Sequence, residues 1–284
     1  MVGNNVTPVY KRRKFTWKNI LAKAFIILML IIMYAPIVVL MVYSFTESKQ
    51  IGVWTGFSFK NYAMLFSPTN VKSRAIWEAV ANTVIIALAS SVLATLLGTI
   101  GAIGMFYSKK KIKNVLDFVT QIPVVNAEIV MALSLTILFV MAKVQFSYLT
   151  LIIGHMVLSI PFVVLSVQPK LSQMDPNLYE AGMDLGATPR QALTKIVLPE
   201  IMPGVVSGFV LAITLSLDDY IITFFTKPKI GFNTLSTYVE NITKKAGLPS
   251  QLRALTTMIF VCILIFMIIY NIRTNRKEAN RNGK

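Results

Sequence analysis

Two adjacent carboxylates, Asp218 and Asp219, interrupt an apolar run that reads Thr214-Leu215-Ser216-Leu217-Asp218-Asp219-Tyr220. A charge inside such a stretch is costly and calls for a reason. On a continuous helix, neighbouring positions diverge by about 100°, so the two side chains cannot share one line of approach. Ser216, Asp219, Tyr220 and Thr223 fall on one polar face, and Thr214 with Asp218 on another. One aspartate is expected to face a polar route through the bundle and its neighbour a partner subunit, with neither assigned. Glu128 stands in a second apolar run and is a further candidate for the same route. Acids in such a position suit a cation, and Tyr220 and Phe224 could add cation–π contact. An intersubunit hydrogen-bond anchor, or a place at the water interface, are the other readings of the pair. Glu78 and Asp117 are expected at span ends, and His155 as a satisfied core residue.

The elements that must hold these acids are written in the composition. Of 284 residues, 55% are hydrophobic and 14% charged, and the mean hydropathy is +0.65. A soluble domain carries about 25% charged residues, so a water-soluble fold is not expected. The one cysteine, Cys262, and the one histidine leave no basis for a disulfide framework, a multi-cysteine metal site or a Ser/His/Asp triad. No catalytic residue, metal or cofactor is expected.

Six apolar stretches are each long enough to cross a hydrocarbon core, which takes about 20 helical residues. They lie near Ala24–Phe45, Val80–Phe106, Ile122–Met141, Tyr148–Val167, Val205–Phe225 and Ala254–Ile272. The expected fold is therefore all-α, a polytopic membrane bundle with six transmembrane helices. Asn126 and Glu128 interrupt the third stretch. The first follows a basic segment but is longer than a signal core and has no small-x-small cleavage site, so it is read as retained. In the second, Ala87, Ser91, Ala94, Gly98 and Gly101 recur every three or four residues, a ladder that lets helices approach closely.

Lys and Arg are uneven between the two sides. The N-terminal tail, the Lys109–Lys113 cluster, the Lys170–Pro203 connection and the C-terminal tail hold 18 of the 28, so both termini are expected to be cytoplasmic. The net charge of +16 is then topology, and no nucleic acid is expected. The expected organisation is a cytoplasmic basic tail over 1–23, a six-span domain over 24–272 and a cytoplasmic tail over 273–284.

The connection 168–204 is too long for a simple turn. Asp175 can accept from a free helix N–H, and Pro176 suits a first helical turn. Leu178, Ala181, Gly182 and Leu185 then fall on one face, and Gly186 can supply a left-handed stop. Thr188-Pro189-Arg190-Gln191 has the residues of a capping box, opening a second helix that Pro199 is expected to break. Three basic and four acidic residues give this segment little attraction to an anionic lipid surface, and favour a protein docking surface.

The run Glu180-Ala181-Gly182-Met183-Asp184-Leu185-Gly186, followed by Ile196-Val197-Leu198-Pro199, resembles the EAA loop of ABC-importer permeases. Gly182 stands where the family pattern has its second alanine. The resemblance implies the type I importer permease fold and a cytoplasmic coupling helix that docks on an ATPase. Glu180, Ala181, Gly182, Asp184, Gly186, Ile196, Leu198 and Pro199 carry that docking. It also implies a related permease as heterodimeric partner, two cytoplasmic ABC ATPase subunits, and an extracellular or periplasmic binding protein. No G-x-x-x-x-G-K-[ST] phosphate loop is present, so nucleotide is expected on a separate polypeptide and the chain itself is no enzyme.

The stretch Leu215–Ile222, with Tyr34-Ala35-Pro36-Ile37, Tyr43-Ser44-Phe45 and Phe59-Lys60-Asn61-Tyr62, is similar to spermidine/putrescine permeases, particularly the second permease subunit. That similarity implies a polyamine substrate, with Ser216, Asp218, Asp219, Tyr220 and Glu128 along its path, in a bacterial inner or plasma membrane. An importer for an amino-acid derivative, an iron chelate or an oxyanion is the alternative, and anions fit the two aspartates poorly. A membrane-embedded enzyme would turn over without an ATPase, and a stand-alone cation channel would conduct without ATP.

Overall fold

The computed structural model describes residues 17–48, 52–67, 69–228, 231–246 and 248–282, and the basic residues Lys11, Arg12, Arg13 and Lys14 lie outside them. Among the described residues every regular element is a helix. Four helices are each long and apolar enough to cross a membrane: α1 (Trp17–Ser44), α3 (Val71–Phe106), α6 (Tyr148–Gln173) and α12 (Ser250–Asn282). A fifth span is the rod Pro189–Asp218, and the bent pair α4 (Lys110–Val125) with α5 (Glu128–Met141), counted as one span, makes a sixth. Short helices fill the connections: α2 (Lys60–Leu65), α7 (Leu178–Asp184), α10 (Ile221–Thr226) and α11 (Leu235–Ala246).

The chain divides into two compact units, residues 1–67 with 248–284, and residues 68–247. In the first, α1 packs on α12, and α12 on α2. The membrane face of α1 is apolar on all sides and almost wholly exposed, as suits a helix bathed in lipid. Its C-terminal carbonyls are met by two buried side chains. Arg253 donates from Nη1 to the Tyr43 carbonyl at 3.2 Å and from Nη2 to that of Ser48. Asn61 Nδ2 donates to the carbonyls of Ser44 and Thr46 at 2.9 and 2.7 Å. On the surface of the same unit, hydrogen bonds from Lys60 and Ser58 hold the Glu47 carboxyl below the usual carboxylate range. Arg253 reads from sequence as one loop cation among five, yet it is fully buried. Truncating it leaves two buried carbonyls without these donors, at about 1–3 kcal/mol each. Arg253→Ala should therefore lower the thermal midpoint of the purified protein clearly, and Arg253→Lys by less. Equal midpoints for Arg253→Ala and wild type would refute the staple.

The second unit is built on α3, α6 and the last part of the rod, α9 (Leu198–Asp218), all packed on one another. The small-residue ladder explains their closeness. A Cβ at Gly98 would lie 2.8 Å from the Cβ and Cγ1 of Val163 on α6, so only glycine permits this approach. Ala87, Ser91, Ala94 and Gly98 are buried, whereas Gly101 meets nothing within 4 Å and belongs to another face.

The third expected span differs. Ile122–Met141 is not one helix: α4 and α5 meet at 107°. Asn126 (ψ 146°) and Ala127 (ψ 133°) are both extended, just after Pro123, which has no N–H for the ladder. The 14 residues of α5 rise only about 21 Å, short of a hydrocarbon core of about 30 Å. The Lys109–Lys113 cluster, expected as loop, caps and opens α4, an amphipathic helix with no buried residue.

Candidate functional site

Span five also breaks, at the two aspartates. Asp218 ends α9, Asp219 is extended (φ −63°, ψ 126°), and α10 begins at Ile221. The break comes from the side chain of Asp219 itself, which turns forward to cap α10. Its Oδ1 accepts from the Ile222 N–H at 3.1 Å, and its Oδ2 from the Thr223 N–H at 2.9 Å and the Thr223 hydroxyl at 3.0 Å. The expectation of one continuous helix over Val205–Phe225 is corrected here, because a carboxylate that caps the next helix competes with the ladder of the preceding one.

The break separates the aspartates more completely than helical periodicity does. The Asp219 side chain is buried, beside His155, whose Nε2 is 3.4 Å from Oδ2. Asp218 is exposed and opens on a cavity of about 270 Å³. Asn126, Glu128, Thr214, Phe162 and the edge of Asp219 line the same cavity. Thr214 and Asp218 do share a face, as helical spacing predicts. Glu128 is the first residue of α5, behind the other break. Its carboxyl lies in hydrogen-bonding contact with Asp219 and within electrostatic reach of Asp218.

The two interrupted spans thus bring three acids to one place. A cation seated there relieves the mutual repulsion of the carboxylates. Asp218 adds to the partial negative charge of the last carbonyls of α9, which again favours a cation. Unwound helix junctions lining a cavity are a recurrent way to place a solute within a bilayer.

Of the remaining polar-route candidates, Ser216 is buried and bonds His155 Nδ1 at 2.8 Å and Ser90 Oγ at 3.2 Å. Tyr220 does not join them. Its ring lies tilted at 5.6 Å from that of Phe224 and its hydroxyl bonds Glu240 of α11. His155, expected as a satisfied core residue, is one: both ring nitrogens have hydroxyl partners.

At the other end of the rod, α7 and the helix after it form the connection read from sequence. Asp175 Oδ1 accepts from the Asn177 N–H at 2.9 Å, inside a turn, so α7 starts at Leu178 and not at Pro176. Gly186 has φ +88° and closes α7, with its N–H on the Met183 carbonyl and that of Ala187 on Gly182. The capping box forms as expected, Thr188 Oγ1 accepting from the Gln191 N–H and Gln191 Oε1 from the Thr188 N–H.

Two expectations for this connection change. Pro199 does not break the helix. The short helix α8 (Pro189–Ala192) passes through a π-helical turn, Leu193–Val197, directly into α9, and Pro199 sits in the first turn of α9, where a missing N–H costs least. Nor do Leu178, Ala181, Gly182 and Leu185 form one buried face. Gly182 is buried against the δ-methyl of Ile196, which fills the place of an alanine side chain. Ala181 and Leu185 are exposed, Leu185 to 90%, beside the exposed Glu180 and Asp184. Leu178 and Tyr179 pack instead with Met174, Val197 and Ile201 on the ends of α3 and α6. Leu198 packs on the same cluster, while Pro199 faces out.

A multi-pass helical bundle with two broken spans and a packed connection on a rigid rod has the architecture of an importer's membrane subunit. The chain belongs to the binding-protein-dependent transport system inner membrane component family, whose profile matches residues 94–278. It is 31% identical over 252 residues to the spermidine/putrescine transport system permease protein PotC of Escherichia coli (strain K12), covering 88% of this chain and 92% of that one. It is 32% identical over 259 residues to the putrescine transport system permease protein PotI of the same organism, covering 88% and 90%. Its fold matches a chain of a bacterial ABC transporter involved in import of the acidic polysaccharide alginate, with a TM-score of 0.68, 13% identity and coverage of 95% and 99%. It also matches a chain of the MetNI methionine ABC transporter, with a TM-score of 0.54, 18% identity and coverage of 70% and 91%. The protein is thus a multi-pass inner-membrane component of a transport system.

Proposed function

We propose that this chain forms half of the translocation pathway of an ATP-driven polyamine importer, with Asp218 and Glu128 receiving the ammonium groups of the solute. The observation that carries this reading is the cavity in which both acids stand at the junctions of broken spans. Successive carboxylates match a solute with several separated positive charges, and an anion would be repelled. The names of the 31% and 32% identical relatives support the same solute class.

In this reading a related permease supplies the other half, two ATPase subunits bind on the cytoplasmic side, and an external binding protein delivers solute. Both termini are then cytoplasmic, and the membrane domain extends from 24 to 272. Glu180, Ala181, Asp184 and Leu185 form the exposed contact with the ATPase, while Gly182, Ile196, Leu198 and Pro199 shape the support beneath it, and Gly186 ends α7. An exposed leucine between carboxylates fits a docking knob better than a lipid anchor, which would want basic neighbours. The rod from Pro189 to Asp218 is 30 residues, about 45 Å long, with α7 packed against its π-turn at one end and Asp218 at the other. Closure of the ATPase pair would then rock the acids between the two sides.

Vesicles containing this chain and its copurified partners should accumulate labelled spermidine only with ATP on the cytoplasmic side, in competition with putrescine. ATP-independent entry would overturn the importer reading, and copurified ATPase without polyamine entry would overturn the solute. Glu180→Lys should reduce ATPase copurification or uncouple hydrolysis from uptake, a loss of about tenfold for a reversed charge at a contact. Full uptake with normal copurification would exclude Glu180 from the contact.

A further inference from the structure

His155 is the chain's single histidine, 1% exposed, and the proposed pathway leaves it without a task. It lies in the middle of an unbroken run of polar contacts. At one end the Thr223 hydroxyl is 3.0 Å from Asp219 Oδ2 and 2.9 Å from His155 Nε2. At the other, Nδ1 is 2.8 Å from Ser216 Oγ, which is 3.2 Å from Ser90 Oγ, itself 2.7 Å from the Ile86 carbonyl. The run therefore ties α10 to α6, α9 and α3 across the break in span five.

Protons can be counted along it. There are five contacts between Asp219 and the Ile86 carbonyl, and each needs one hydrogen. Each hydroxyl has one to give, and a neutral imidazole has one. Thr223, Ser216, Ser90 and a neutral His155 fall one short. The run closes only when a further proton resides on the His155–Asp219 pair, as imidazolium with carboxylate or as imidazole with carboxylic acid. In both forms the pair has no net charge, which is how a buried acid is normally tolerated. Glu128, from α5, and Asp218, from α9, are the other acids facing Asp219, and Glu128 is in hydrogen-bonding contact with it.

We infer that His155 is a positioning residue: through Thr223 it neutralises and clamps Asp219 as the cap of α10, so that Asp218 and Glu128, and not Asp219, receive the solute cation. This division of labour rests on the cavity being a cation site. The clamp itself does not, and the two can be tested apart.

The clamp is tested without solute in the assembled complex, with only this chain isotopically labelled. The 15N shifts of the single imidazole and the 13C shift of the Asp219 carboxyl together count the protons on the pair. Two protons are expected, and one proton would overturn the clamp. The division of labour is read from equilibrium binding of labelled spermidine to the purified complex. Asp218→Asn should weaken binding about tenfold or more, the loss of a bond to a charged group, with Asp219→Asn within about threefold of wild type. His155→Gln leaves Asp219 as an uncompensated acid, so spermidine should bind more tightly. Adding Asp219→Asn to His155→Gln should restore wild-type affinity. Asp219→Asn weakening binding as much as Asp218→Asn, or His155→Gln weakening it without rescue, would overturn the assignment. A wild-type complex that binds no spermidine while the pair holds two protons would fault the solute and leave the clamp standing.

Discussion

Replacing Asp218 by asparagine and Glu128 by glutamine together is expected to lower ATP-driven polyamine uptake about a hundredfold or more, since each change removes a bond to a charged group. Both substitutions keep the size of the side chain and leave the Asp219 cap of α10 in place, so the bundle should assemble. Asp219, the third carboxyl lining the cavity, is not expected to take over, because both its oxygens are held by the first turn of α10. Each single variant should lose less than the pair, since one carboxylate remains to meet an ammonium group. Uptake is measured in vesicles, and assembly by copurification with the ATPase and by the thermal midpoint. Near-normal uptake by the double variant would remove the cation site from this cavity.

Inserting one alanine after Thr194 should be comparably damaging for a different reason. The turn Leu193–Val197 is π-helical, with the Leu198 N–H on the Leu193 carbonyl. Such a turn holds one residue more than an α-turn. A further residue cannot be absorbed there, so it rotates everything before it by about 100° and shifts it about 1.5 Å relative to α9. The exposed face of α7 would then address the ATPase wrongly while Asp218 stays in place. Uptake should fall about a hundredfold with solute binding intact, as expected when positioning and not contact is lost. Thr194→Ala keeps the length and removes only a hydroxyl that donates to the Arg190 carbonyl, so it should transport nearly normally. An insertion variant with wild-type uptake would show that the rod does not transmit the motion.

Both experiments use features of unequal legibility. The existence of the spans was readable because lipid demands long apolar helices whatever their neighbours. The stop at Gly186 and the capping box at Thr188 and Gln191 were readable because they involve residues within three or four positions of each other. The break at Asn126 and Ala127 left a local signal, a proline and two polar residues in an apolar run, but not its 107° angle. The role of Pro199 was misread, because proline marks both the end of one helix and the first turn of the next. Only the preceding π-turn distinguishes them.

The burial of Arg253 left no signal that sequence reading could use, and for His155, expected in the core, the partners left none. Each depends on partners far along the chain, Tyr43 and Ser48 for the arginine, Ser216 and Thr223 for the histidine.

Sequence by itself determined the class of protein: a helical membrane bundle, a folded connection between two spans, and acids set within apolar runs. These follow from hydropathy, capping chemistry and charge, which act over one or two helical turns. Which aspartate is free was decided by tertiary structure alone. Asp218 and Asp219 are chemically identical and adjacent. They differ because Asp219 is buried, turned onto the first turn of α10 and set beside His155, while Asp218 stands exposed at the cavity. The surroundings of a carboxylate are supplied by other helices, and no local pattern encodes them.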